Sequence, residues 1–280
     1  MEIQINDQKL DVNLDNEKTI GEILSVLEKW LSHSGHILSG LCIDGFEITA
    51  SEVEEAFSKE IDSVKHLNIK TTPIAEIAAS SLVALLDDIK EYEVLNFKDK
   101  SEFFNNWKNS AAGKFIESEI HDLYQLCVNT FSHGETNSKD LYSITEERLR
   151  EITEPEKEFN NIETVLNDIC EKLIDLPLDI QTGKDIKAAK TIQLFTAVTE
   201  KIIRIFYQFD TQGYFLSEQK TKTREILVEQ ISDFTGILKE LLEAYEKNDS
   251  VLVGDLAEYE ASVKIKELYK AILQNCRREK

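Results

Sequence analysis

The stretches MEIQINDQKLDVNL (1–14) and TIGEILSVLEKWLSHSG (19–35) decide the reading of the chain's first part. Met1, Ile3 and Ile5 alternate with Glu2, Gln4 and Asn6, and Leu10, Val12 and Leu14 alternate with Asp11 and Asn13. A period of two gives each strand one buried and one wet face. The polar break Asp7, Gln8, Lys9 joins the two runs as a hairpin. Thr19, Ile20, Gly21, Glu22 then fits a capping box, in which the hydroxyl and the carboxylate each satisfy a free helix-start amide. Ile20, Ile23, Leu24, Leu27, Trp30 and Leu31 follow at helical spacing as one apolar stripe. Gly35 suits the left-handed position that ends the helix.

Residues 37–43 read as a third strand, and Asp44, Gly45 signals a tight hairpin returning through Phe46 and Ile48. Ser51, Glu52, Val53, Glu54 repeats the capping-box pattern and opens a short helix. Val64, Leu67 and Ile69 supply the last strand, with His66, Asn68 and Lys70 on its wet side. This order, with the Thr19 to Glu22 helix start, resembles the ubiquitin-like β-grasp fold over residues 1–72. The resemblance implies a non-catalytic module that binds through its sheet face. Conjugated members of that family end in an exposed Gly-Gly. Here Lys70, Thr71 and Thr72 lead into Pro73 and a helix, so a conjugation role is excluded for the uncut chain.

Residues 73–280 read as helix throughout. Pro73 suits a helix start, and Ile74, Ile77, Leu82, Leu85, Leu86 and Ile89 carry a stripe to about Leu95. Ser101 is read as the cap of a second helix running from Phe103 to Phe131, with Gly113 as a bend. A loop-like stretch at 133–140 offers an internal break. Pro155 begins or kinks a helix carrying Phe159, Ile162, Val165, Leu166, Ile169 and Leu173. Three more helices follow, separated near Gly213 and at Asn248, Asp249, Ser250, and the last ends in the cations Arg277 and Arg278. The stripes hold no strict seven-residue period, so they suit globular packing rather than a long coiled coil. The expected class is α+β: a β-grasp domain at 1–72, then an antiparallel α-helical bundle region at 73–280.

The composition restricts function. Of 280 residues, 41% are hydrophobic and 30% charged, with a net charge of −21. Few prolines and glycines argue against a loop-rich all-β fold. That net charge opposes phosphate-tracking binding, which depends on clustered Lys/Arg, so nucleic acid is not an expected partner. The same sign opposes an anionic membrane surface. No signal-peptide pattern opens the sequence and no apolar run reaches a membrane span. Cys42, Cys127, Cys170 and Cys276 form no paired motif, which fits a reducing, cytoplasmic compartment.

Candidate chemistry is sparse. Thr182, Gly183, Lys184 resembles the end of a phosphate loop, yet Leu178 stands where the first glycine is required and Asp185 where Ser/Thr is required. A turn and cap is the better reading. His33 and His36 straddle a helix end and have no second ligand pair. Glu117 and His121 read as a surface pair one helical turn apart. Cys127 reads as a buried structural thiol rather than a nucleophile beside His121 or His133. The stretch Asp255, Leu256, Ala257, Glu258, Tyr259, Glu260 places acid around an aromatic ring near a helix start. Its ordinary explanation is helix-dipole stabilisation; its functional one is partner docking by Asp255, Glu258, Tyr259 and Glu260.

These features lead us to expect no enzyme activity, cofactor or metal. They point to a cytoplasmic adaptor or scaffold that binds another protein. The alternative is an acidic chaperone for an exported or appendage-assembly protein, which would need an exposed apolar groove.

Overall fold

A computed structural model describes residues 1–10, 17–133, 137–215 and 220–276. The expectations for Val12 and Leu14, for the centre of the loop-like stretch, and for Arg277 and Arg278 lie outside those residues. The protein is α+β, with a five-stranded N-terminal sheet followed by helices. Two compact units divide it, Met1–Thr145 and Glu146–Lys280. The division falls within helix α7 (Ser138–Thr153).

In the first unit, β1 (Glu2–Ile5) and β2 (Gln8–Leu10) pair antiparallel through a turn in which Asn6 and Asp7 adopt positive φ. The alternating sequence places Ile3 in the core. Helix α1 (Ile20–His33) lays Ile20, Ile23, Leu24, Leu27 and Leu31 against the sheet. The expected capping box is present: the Thr19 hydroxyl accepts from the Glu22 amide at 3.3 Å, and Glu22 accepts from the Thr19 amide at 3.3 Å. Trp30 departs from the stripe and is 57% exposed, because its position falls at the stripe's outer edge. Strands β3 (His36–Ile43), β4 (Phe46–Glu47) and β5 (His66–Pro73) complete the order β2-β1-β5-β3-β4. β5 runs parallel to β1 and antiparallel to β3, and Leu67 and Ile69 are fully buried beneath α1.

Asp44 and Gly45 form the expected turn, both with positive φ. The Asp44 carboxylate also accepts from the backbone amides of Lys65, at 2.9 Å, and His66, at 2.8 Å, tying the hairpin to the start of β5. The hydrogen bond from His66, ahead of that from Lys65, holds this carboxyl below its ordinary value. A depressed folded value gives stability above the unfolded value of 3.8, lost as pH falls through the folded value. Asp44→Asn is therefore expected to flatten the acid side of the first unit's stability–pH curve, as followed by tryptophan fluorescence, and to leave the neutral-to-alkaline side parallel to that of the unmodified chain.

The capping box expected from Ser51 and Glu54 forms two residues earlier. Glu52 accepts from the Thr49 amide at 2.9 Å and from the Thr49 hydroxyl at 2.7 Å. A single 3₁₀ turn at Ala50–Glu52 then precedes α2 (Val53–Phe57). Both four-residue windows carry the pattern, and the earlier one meets the chain as it leaves the sheet.

Helix α3 (Ile74–Val94) starts directly at Pro73. The long helix expected from Phe103 to Phe131 is broken into α4 (Phe97–Asn109), α5 (Ala111–Glu119) and α6 (His121–Val128), followed by a π-helical turn at Asn129–His133. The cap of α4 is Asn96, whose side chain accepts from Lys98 and Asp99 amides, and Ser101 lies inside that helix. Ser110 breaks the chain and caps α5 by accepting from the Gly113 amide at 3.0 Å. These short helices enclose an aromatic cluster of Tyr92, Phe103, Trp107, Tyr124 and Phe131. Phe131 meets Tyr92 at 4.9 Å and Trp107 edge-on at 5.2 Å. Edge-to-face pairs of this kind exceed simple area burial in value.

The second unit is helical. Pro155 opens α8 (Pro155–Ile174), where its missing amide costs nothing. The short α9 (Leu176–Gln181) leads through the positive-φ Gly183 into α10 (Asp185–Thr211). Helix α11 (Lys220–Glu246) precedes a turn at Asn248, and Asp249 then caps α12 (Ser250–Asp255) by accepting from Leu252 at 3.1 Å. A π-helical segment, Leu256–Ala261, joins α12 to α13 (Ser262–Asn275). The core is built on Phe159, Phe195, Phe206, Phe209 and Phe234. Phe159 stacks on Tyr269 at 4.7 Å, and the Tyr269 hydroxyl donates to the Phe159 carbonyl at 3.2 Å.

Candidate docking surfaces in the second unit

Helices α8 and α10 pack by their buried stripes but leave a groove of about 340 Å³ on their outer side. Ile162, Val165, Leu194, Ala197 and Val198 line it. Val165 is 52% and Leu194 42% exposed, although the sequence pattern places Val165 in the core stripe. The reason is geometric. A stripe broader than the contact line between two helices leaves its edge residues in solvent.

Charges close one end of the groove. Lys201 donates to Glu158 and pairs with Glu147, each at 2.8 Å, and Arg150 lies 3.5 Å from the second Glu158 oxygen. Behind them the Arg204 guanidinium grips Glu151 with two bonds of 2.9 and 2.8 Å, and Arg148 adds a contact at 3.6 Å. Burial pushes the Glu151 carboxyl up to about 7, with Glu147 and Glu158 adding to the rise and Arg148 and Lys201 opposing it. That rise expresses the cost of removing Glu151 from water, which the Arg204 fork offsets. Glu151 and Arg204 are 53 positions apart, so no local spacing betrays the pair.

The stretch singled out for docking does not sit at a helix start. The helical run begins at Ser250, and residues 256–261 form the π turn inside it. Helix-dipole stabilisation therefore does not explain the acids. Asp255, Glu258, Tyr259 and Glu260 are all exposed, Tyr259 by 67%, while Leu256, Ala257 and Ala261 face the core. The Glu258 carboxylate raises the Tyr259 phenol above its ordinary value.

Gly183 and Lys184 form a turn, with the Lys184 amide donating to the Asp179 carbonyl at 2.8 Å. Glu117 and His121 do not share a helix, because the chain breaks at Ile120 (φ −132°, ψ 59°) between α5 and α6. Glu117 instead hydrogen-bonds Tyr124. The Nδ1 of His36 lies 3.0 Å from the Ser34 carbonyl. Cys127 is fully buried and burial pushes its thiol up, the opposite of what a nucleophile needs. Among the described residues no group of three His, Cys, Asp or Glu is placed to hold a metal, and no helix is long and apolar enough to cross a membrane.

Two separate stretches of the chain match known families. Residues 1–73 match a family described as the TP0873 N-terminal domain, ending with strand β5. Residues 157–271 match a family described as a domain of unknown function (DUF8042), a span that contains α10 and the π segment. An uncharacterized protein of Treponema pallidum (strain Nichols) is 24% identical over 273 residues, covering 98% of this chain and 96% of its own length. No solved structure matches the chain.

Proposed function

We propose that the protein is a non-enzymatic interaction protein, an adaptor or scaffold that holds another protein through its helical second unit. The open apolar groove between α8 and α10 carries this reading. Its volume of about 340 Å³ suits a few apolar side chains presented by a folded partner. The chaperone alternative also requires an exposed apolar groove, but one long enough to mask an extended client; this one is short and bordered by Lys201, Glu147 and Glu158, which favours the adaptor. The order β2-β1-β5-β3-β4 with α1 packed on one face supports the β-grasp reading of the first unit, a recognition module by analogy. The tight turns at Gly183 and Asn248 support an up-down bundle in the second.

The test is affinity capture at native abundance with the full chain and its Leu194→Asp variant. Leu194 is half in solvent, so the variant is expected to fold with stability changed by about 0.5 kcal/mol or less. It is expected to lose a partner that the unmodified chain retains. Equal retention by both, or no specific partner for either, would count against the proposal.

A further inference from the structure

The π segment has a consequence for the surface opposite the core. In an α-helix, residues four apart advance by about 40° per step, so a four-residue series spirals off its face. The wider π turn rotates each residue less. Across Leu256–Ala261 it brings Val251, Asp255, Tyr259 and Val263 back onto one line. Exposure agrees with this: Val251 is 70%, Tyr259 67% and Val263 43% exposed, whereas Val253, Ala257, Ala261 and Ile265 on the opposite side are buried. Leu252 and Glu260 border the line on one flank and Glu258 on the other.

Three of the four residues on this line are apolar or aromatic, and the charged residues on it and beside it, Asp255, Glu258 and Glu260, are all acidic. No Lys or Arg occurs from Asn248 through Val263. The first cation, Lys264, is engaged with Glu267 at 3.1 Å. A symmetric contact between two copies would oppose Asp255, Glu258 and Glu260 with themselves. A strand of nucleic acid or an anionic membrane has the wrong charge.

We infer that the face running from Val251 to Val263 docks an amphipathic helix of a partner protein, one whose apolar stripe is bordered by Lys or Arg. Tyr259 is the central anchor: a large, half-rigid ring with a polar tip. Asp255, Glu258 and Glu260 set the partner's charge and orientation and raise its association rate. The inference rests on the interaction reading above but names a surface distinct from the α8–α10 groove.

The test titrates the full chain with an amphipathic Leu/Lys helical peptide and with a Leu/Gln peptide of the same pattern. The Leu/Lys peptide is expected to bind, more weakly as salt rises, and the Leu/Gln peptide to bind at least about ten-fold more weakly. Neutralising the face (Asp255→Asn, Glu258→Gln and Glu260→Gln together) is expected to weaken binding about ten-fold, and Tyr259→Ser to do so by a similar factor. Neutralising three exposed acids of α11 instead (Glu225→Gln, Glu229→Gln, Asp233→Asn) is expected to leave binding within about two-fold. Equal weakening by the two triple variants would reduce the effect to overall charge and overturn the inference. So would absence of binding, or equal binding of the Leu/Gln peptide. If the peptide fails while Leu194→Asp still abolishes capture of a native partner, the interaction reading stands and only this surface falls.

Discussion

Arg204→Met is expected to destabilise the second unit by about 3 kcal/mol, the lower part of the range for opening a buried ion pair. The Glu151 side chain it serves is 3% exposed. The substitution removes two charge-assisted hydrogen bonds and leaves a carboxylate stripped of water, with Arg148 at 3.6 Å as its nearest remaining cation. Converting Glu151 to Leu in the same chain removes the orphaned charge. The double variant is expected to be more stable than Arg204→Met alone by about 2 kcal/mol. The loss also depends on pH. Burial already raises Glu151 from 4.5 to about 7, and taking away the guanidinium hydrogen-bonded to its charged form moves it further in the same direction. A raised folded value gives stability that is full below the unfolded value and lost as pH rises through the folded one. The penalty of Arg204→Met should therefore be smaller at pH 5 than at pH 8. Trp30 and Trp107 both lie in the first unit, so fluorescence does not read this change. Amide exchange in α8 and α10 does.

Gly113→Ala is expected to cost the first unit about 3 kcal/mol, despite the better helix propensity of alanine. A methyl at Gly113 would stand 2.1 Å from the Trp107 carbonyl oxygen and 3.1 Å from its carbon. Both are backbone atoms and cannot swing aside. Relief requires α5 to move off the end of α4, which disturbs the Ser110 cap and the seat of Trp107 in the aromatic cluster. Here fluorescence is the right reporter. A lowered denaturation midpoint with a shifted native emission of Trp107 is expected, and amide exchange in α10 should be unchanged. By contrast Gly236, with open space around its Cβ position, should accept alanine at no cost.

The sequence made the sheet legible because its signals are local. Period two in residues 1–5, the left-handed pair Asp44 and Gly45, and the Thr19 to Glu22 box each state a conformation within a few positions. The breaks at Ser110 and Ile120 were hidden because apolar residues recur across them at helical spacing. Only the Ser110 hydroxyl facing the Gly113 amide could have signalled the first. The groove was hidden for a related reason: Val165 satisfies a core pattern, and only the width of the α8–α10 contact excludes it. Glu151 and Arg204 are brought together by packing alone. The acids around Tyr259 were visible as residues, but their alignment depends on the π turn, which no propensity announces.

A photo-reactive residue at position 197, exposed in the lining of the groove between α8 and α10, tests the interaction reading most directly. Position 229, exposed on α11, serves as the control. Irradiation of the full chain in its native extract is expected to give one adduct of discrete mass at 197 that is absent at 229 and lost with Leu194→Asp. The absence of any adduct at 197, or the same adducts at both positions, would contradict the proposal.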